Sequence, residues 1–274
     1  MITFVTHLRY DHPDRIENLN AIIDYYSTNI LSSKFIFVED DKEHNKEFDK
    51  VKFLKGHTKF LFVPNEHTYY RTRALNVGIK AADTDVVVSM DTDCLVKPEA
   101  IHACVKALTT DETLATVAWP YNGYFLDVMG ETRTKILNTT YNFNDIVNDL
   151  DGNLNMPLSS SYKNFHVRCT DDKHLGTGGF VMFNRKRFLE AGGYNENFIG
   201  WGCEDNELVD RLTKLGHKTF RYSHPDAICF HLYHSSAQRA ENPFFNQNSE
   251  EWHRVKDMTK EELQKYITMW GWNK

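Results

Sequence analysis

An α/β fold on a mostly parallel, Rossmann-like central sheet with flanking helices is what the sequence predicts, on three observations. Apolar β-branched runs alternate with helical patterns along the first 119 residues. The most apolar of these runs, Val86-Val87-Val88, reads as a strand buried on both faces, and it breaks in Ser89-Met90-Asp91-Thr92-Asp93. Phe35–Val38 also ends in acids, Glu39, Asp40 and Asp41, which puts Asp40 and Asp91 at one edge of the sheet. In open α/β sheets that edge is where ligands bind.

In chain order, Met1–Leu8 reads as the first strand and Asp11-His12-Pro13-Asp14 as a turn. A helix follows, with Ile16, Leu19, Ile22, Ile23 and Tyr26 at helical spacing. Phe35–Val38 and Lys59–Val63 are strands, Tyr70–Ala82 a helix, Val86–Met90 a strand, Pro98–Leu108 a helix and Leu114–Trp119 a strand. From Pro120 to His174 apolar periodicity is poor, and short strands with a mobile loop over the substrate are expected. Regularity returns with Gly176-Thr177-Gly178-Gly179, the strand Phe180–Phe183 and a short helix, Arg187–Ala191. The helix after Asn206 carries Leu208, Val209, Leu212 and Leu215 on one face and stops at Gly216. Lys218–Tyr222 and Ala227–Tyr233 read as strands, and Lys260–Trp270 as a surface helix in a polar tail. No linker divides the chain, so one domain spanning 1–274 is expected.

Composition narrows the classes. The net charge of −6, with Lys and Arg spread rather than clustered, gives no basic face for nucleic acid. The five Cys are odd in number, widely spaced and without a C-x-x-C pair, which argues against a zinc ribbon or a disulfide scaffold. No apolar run reaches membrane-spanning length and no signal-peptide layout opens the chain. A cytoplasmic protein without a transmembrane segment is the expectation.

The chemistry concentrates at three places. Asp91 and Asp93 repel each other unless a cation joins them, and such oxygen ligands suit Mg²⁺ or Mn²⁺; an acidic turn after a strand is the plainer alternative. Glu204 and Asp205 fall in a first helical turn, where the free N–H groups favour carboxylates, so they either cap the helix or serve a site. Trp201 stands beside them between two glycines, badly placed for a core and well placed to pack on a sugar ring. His231 and His234 lie in ICFHLYHSS; three apart on a strand they point to opposite faces, so both can bind one metal only if the strand ends or bends between them. His234, nearer the loop, is the better candidate. Gly178 and Gly179 either let the backbone approach a ligand or form a simple turn.

Two blocks carry a resemblance. RTRALNVGIKAADTDVVVSMDTDC resembles the nucleotide-sugar half of GT-A glycosyltransferases, especially the family 2 type. GTGGFVMFNRKRFLEAGGYNENFIGWGCEDNELVDRL resembles the C-terminal half of the β-1,4-galactosyltransferases, the polypeptide N-acetylgalactosaminyltransferases and the chondroitin-type polymerases. The resemblance implies an inverting transfer of a hexose or N-acetylhexosamine, Gal or GalNAc favoured, from a UDP-sugar to a carbohydrate or glycoconjugate acceptor, with Mn²⁺ or Mg²⁺. It implies roles for single residues as well. Asp93 and His234 bind the metal, and His231 stands where the galactosyltransferases carry a second ligand. Arg71 contacts the donor diphosphate, Asp91, the first Asp of the family's D-x-D, binds the donor, Asp40 reads the uracil or its ribose, and Gly178 and Gly179 line the donor sugar. Trp201 and Glu204 hold the acceptor and Asp205 is the catalytic base. Residues 1–119 then form the nucleotide-sugar half, 120–236 the acceptor and metal half, and 237–274 a tail with a helix. Cys203 and Asn206 depart from the family's pattern beside the acceptor residues. Two rival readings are a sugar-nucleotide nucleotidyltransferase and a non-catalytic carbohydrate-binding protein. The nucleotidyltransferase normally has a Gly-rich loop after the first strand, where this chain has Thr6-His7-Leu8-Arg9-Tyr10.

Overall fold

The computed structural model describes residues 1–66, 69–110, 114–138, 141–170, 176–235 and 242–273. The first residues of the expected tail and the end of the weakly patterned middle segment therefore lie outside the described residues. The first half runs β1 (Ile2–Leu8), α1 (Asp14–Asn29), β2 (Ser33–Asp41), β3 (Thr58–Pro64), α2 (Arg71–Ala81), β4 (Val86–Met90), β5 (Cys94–Leu95), α3 (Pro98–Thr109) and β6 (Val117–Trp119). The middle contributes β7 (Phe125–Val128), α4 (Gly130–Leu137), α5 (Phe143–Asn148), β8 (Ser161–Tyr162) and β9 (Phe165–Cys169). Then come β10 (Phe180–Asn184), α6 (Arg185–Glu190), α7 (Glu204–Leu215), β11 (Thr219–Arg221), β12 (Cys229–Leu232), α8 (Phe245–Asp257) and α9 (Lys260–Thr268).

Seven strands form the main sheet in the order β11-β6-β10-β4-β1-β2-β3. β4, β1, β2 and β3 are mutually parallel, β10 is antiparallel to both β4 and β6, and β11 is parallel to β6. β1 and β4 are buried at every position, as expected of central strands covered on both faces. Helix α2 packs on β1 and β2 through Gly78, where any side chain would collide with Val5 and press on Val38. This seat holds the N-terminus of α2 over the ends of β2 and β4. No helix among the described residues is long and apolar enough to cross a membrane.

A second sheet, in the order β5-β12-β7-β9-β8, was not expected. Its strands are two to five residues long, too short to show a period of their own. The segment 120–174, expected to hold short strands and a mobile loop, supplies β7, β8 and β9 together with the helices α4 and α5. The tail also holds more than the one expected helix. α8 buries Asn248, Glu251 and Val255, so its docking face is largely polar and carries no apolar stripe. Asn248 exchanges hydrogen bonds with the Ile199 backbone (2.9 and 3.2 Å), and Glu251 Oε1 accepts from Asn195 (2.7 Å) and Asn197 (3.1 Å). The tail thus braces the loop that leads into α7.

Candidate active site

The two sheets join at the Asp91-Thr92-Asp93 step. β4 ends at Met90, the Asp91 amide donates to the Gly179 carbonyl (2.8 Å), and β5 begins at Cys94. Cys94 then pairs with His231 across the β5–β12 ladder, and the Leu232 amide donates to the Asp93 carbonyl (2.8 Å). Tyr26 of α1 fastens this step, its hydroxyl donating to the Cys94 carbonyl and accepting from the Val96 amide, both at 3.0 Å. Asp93 is fully buried. His231 Nε2 lies 3.2 Å from its Oδ1 and His234 Nε2 3.3 Å from its Oδ2. β12 ends at Leu232, between the two histidines, which lets both turn to one point. Ligand atoms of Asp93, His231 and His234 lie within 4.8 Å of one another.

A carboxylate with two imidazoles fits a divalent transition ion such as Mn²⁺. Burial opposes the charge on Asp93, but the neighbouring His231, Arg15 and His234 outweigh it and hold the carboxyl well below the usual range. Arg15 Nη1 reaches Asp93 Oδ2 at 3.0 Å from the first turn of α1. Asp91, Asp93 and Cys94 form a second grouping. It suits a metal less well, because burial pushes the Cys94 thiol up and metals take the thiolate.

Arg71, at the N-terminus of α2, ties this step to α7. Its Nη2 lies 3.0 Å from Asp91 Oδ1 and its Nη1 3.8 Å from Asp205 Oδ1. Arg71 Nη1 and Asp205 Oδ1, 3.8 Å apart, are both buried without a hydrogen-bond partner. α7 starts at Glu204, so Glu204 and Asp205 do lie in its first turn. The Gly202 amide donates to Glu204 Oε2 (2.9 Å). Burial, then the adjacent Asp205 charge, pushes Glu204 up to about 7, with Arg71 opposing. Burial also raises Asp205; Arg71 pulls it back and Asp91 adds to the rise. Gly178 has its Cα against the Asp205 carboxylate, and a Cβ there would collide with it. Gly179 adopts φ +75°, and a Cβ would press on Phe125 and Cys94. Both positions therefore require glycine.

Asp40 closes the far side. The Tyr70 amide donates to its Oδ2 (2.8 Å), so neighbouring residues of one helix start, Tyr70 and Arg71, reach Asp40 and Asp91. His7 Nε2 is 3.3 Å from the same oxygen, while Asp40 Oδ1 is buried without a partner. Burial disfavours the Asp40 charge, yet His7 and the Tyr70 amide outweigh it and lower its pKa. In the loop before α7, Trp201 is 57% exposed and stacks at 6.3 Å on Phe245, itself 44% exposed. The pair forms an open aromatic ledge beside Glu204 and Asp205.

Asp40, Asp91, Asp93, Gly178 and Gly179 thus fall along one edge of the main sheet, His231 and His234 meet Asp93 there, and Arg71 ties Asp205 of α7 to it; Glu204 adjoins Asp205, and Trp201 stands on the loop before α7. Others were missed. Arg15 and His7 belong to elements that were read correctly, but no pattern marked them. Phe245 opens a helix keyed by polar contacts, and Asp127 lies in a strand of four residues.

The family described as glycosyltransferase like family 2 matches residues 10–230. Chondroitin synthase of Escherichia coli is 26% identical over 212 residues, covering 73% of this chain and 29% of that protein. Beta-1,4-galactosyltransferase 1 of Mus musculus is 28% identical over 150 residues, covering 45% of this chain and 36% of that protein. The chain thus spans about a third of the length of these relatives. Among solved structures, GalNAc-T7 with UDP, GalNAc and Mn²⁺ superposes with a TM-score of 0.57 over 97% of this chain and 49% of that one, at 17% identity. That likeness is one of fold, the GT-A arrangement.

Proposed function

Because this chain belongs to the family 2-like glycosyltransferases, we propose that it moves a hexose or N-acetylhexosamine, Gal or GalNAc first, from a UDP-sugar to a carbohydrate hydroxyl with inversion. One observation carries the reading. Asp93 from the end of β4 and His231 and His234 from the end of β12 meet at one point. Arg71 links that step to Asp205.

In this reading Asp93, His231 and His234 hold Mn²⁺, which when bound supplies positive charge to the diphosphate of the leaving UDP. Arg71, charged and buried with an open Nη1, adds to that charge. Asp40, with an open Oδ1 at the β2 end, accepts from the uracil or ribose. Gly178 and Gly179 let Asp205 and Phe125 close onto the strip of backbone that lines the donor sugar. The Trp201–Phe245 ledge packs on the acceptor ring and Glu204 hydrogen-bonds its hydroxyls. Asp205 takes the proton of the attacking hydroxyl as the new bond forms at the anomeric carbon and the bond to UDP breaks. The proton goes to Oδ1 or Oδ2 of Asp205 and the electron pair leaves with UDP. The raised pKa of Asp205 suits this work, since a base is most effective when its pKa approaches the working pH. Membership in this family favours transfer over nucleotidyl exchange and over binding alone.

A panel of UDP-sugars tested for UDP release with Mn²⁺, with and without saccharide acceptors, is the direct test. Acceptor-stimulated release from one donor, abolished by EDTA and restored by Mn²⁺, is expected. Pyrophosphate formation from UTP and a sugar phosphate, or full activity in chelator, would overturn the proposal.

A further inference from the structure

His231 is held from behind. β12 runs parallel to β7 in a register that sets His231 opposite Asp127. Asp127 Oδ1 lies 2.7 Å from His231 Nδ1, on the ring edge away from Asp93. An ionised carboxylate only accepts, so this contact makes His231 Nδ1 a donor and leaves Nε2, aimed at Asp93, as the nitrogen that ligates a metal once its own proton is displaced. Asp127 is in turn held by Arg168 Nη1 at 3.4 Å. The β7–β9 register explains how Arg168 gets there. Leu126 pairs with Val167 and Phe125 with Cys169, so Arg168 is an extra residue in β9, a bulge. Its guanidinium lies over the Phe125 ring, 5.4 Å from its centroid, beside Asp127 and His231. A competing contact lies close by. Arg168 Nη1 is 3.3 Å from His231 Nδ1, and if it donated there, Nε2 would carry the proton and could not ligate.

We propose that Asp127 is a positioning residue for the metal site, fixing the tautomer and tilt of His231, with Arg168 at the bulge holding Asp127 in turn. The inference rests on the reading of Asp93, His231 and His234 as metal ligands, and it assigns a purpose to the second sheet: its pairing brings a carboxylate behind a ligand that another strand provides. Partners of this kind are worth about 10- to 100-fold in metal affinity.

The test is Mn²⁺ binding by calorimetry, with and without saturating UDP, on the whole chain. Asp127→Ala is expected to weaken Mn²⁺ about 10- to 100-fold. Asp127→Asn, whose amide oxygen still accepts from Nδ1, is expected to recover most of the loss. In the Co²⁺-loaded protein the visible spectrum should move toward that of His231→Ala in the Asp127→Ala variant and stay near wild type in Asp127→Asn. A purely structural role would lower the melting temperature of both variants and leave Mn²⁺ affinity unchanged. Unchanged affinity in a folded Asp127→Ala overturns the inference while His231→Ala still weakens binding and the metal reading stands. If His231→Ala binds as wild type does, His231 is no ligand and the inference falls alone. Absence of Mn²⁺ binding in wild type, with UDP present, overturns both. Should Asp127→Ala not fold, Arg168→Met decides: about a threefold or greater loss of Mn²⁺ affinity supports the inference and none overturns it.

Discussion

The two sheets that meet at Asp93 are built differently. In the main sheet β1, β2 and β4 are parallel strands built around apolar residues, and each contributes to the site at or past its C-terminal end: His7 near the end of β1, Asp40 near the end of β2, Asp91 and Asp93 past β4. In the second sheet the site residues are the strand residues themselves, His231 on β12 facing Asp127 on β7, with Arg168 displaced by a bulge. The main sheet carries a core and presents a site at its rim. The second sheet buries a small polar network in its middle, where each member needs the others to be satisfied. Substitutions on the two sides should therefore fail in different ways, and α7, which Arg71 ties to the rim, should show a third behaviour.

The largest expected effect belongs to α7. Asp205→Asn should lower kcat by about 10²- to 10⁴-fold while UDP binding, measured by calorimetry, stays within error. Equal loss of UDP binding would make Asp205 part of the main-sheet charge grip and erase the distinction. Next comes the rim itself. Arg71→Met should lower kcat by about 10²-fold, and it should do so without the change in Mn²⁺ affinity expected of second-sheet variants. Loss of Mn²⁺ binding in this variant would merge the two sides into one unit.

The pH profile sharpens the same contrast. Glu204 is pushed up to about 7 by burial and then by Asp205, and burial raises Asp205 as well. A general base acts deprotonated, so kcat/KM should climb along a limb set above the ordinary carboxylate range and level off once Asp205 is ionised. Glu204→Gln removes the carboxyl that titrates at about 7, so any step there should disappear while the Asp205 limb stays in place. A profile flat from pH 5 to 9, or a limb that moves to higher pH, would rule out the α7 pair as its source. The smallest effect is expected on the ledge. Phe245→Ala should raise acceptor KM about 3- to 10-fold with donor KM unchanged, the worth of one aromatic contact. An altered donor KM instead would move Phe245 to the other side of the cleft.

How much of this could be read before any coordinates follows from where the free energy lies. Val86–Met90 was legible to the residue because a strand buried on both faces must be apolar along its length and must stop where carboxylates begin. Helix α7 was legible because its apolar face repeats at helical spacing and Gly216 ends it. The same local rules marked Asp40, Asp91, Asp93, Glu204, Asp205 and the flanking glycines as unusual for their places. What the chain alone determined was the main sheet, its helices and a set of residues too polar, too small or too exposed for ordinary packing.

Only the tertiary structure decided which of those residues meet. That Asp93 and His231 share a point depends on β5 pairing with β12, two strands whose ladder residues are more than a hundred positions apart and whose lengths are two and four. The places of Asp127, Arg168 and Phe245 depend on a strand register, a bulge and a helix docked by hydrogen bonds rather than by an apolar stripe. Hydrophobic burial is written along the chain as a period, because each residue feels the core for itself. A hydrogen-bonded pairing between short polar segments is a property of two places at once, and it comes into being only when the main sheet has brought them together.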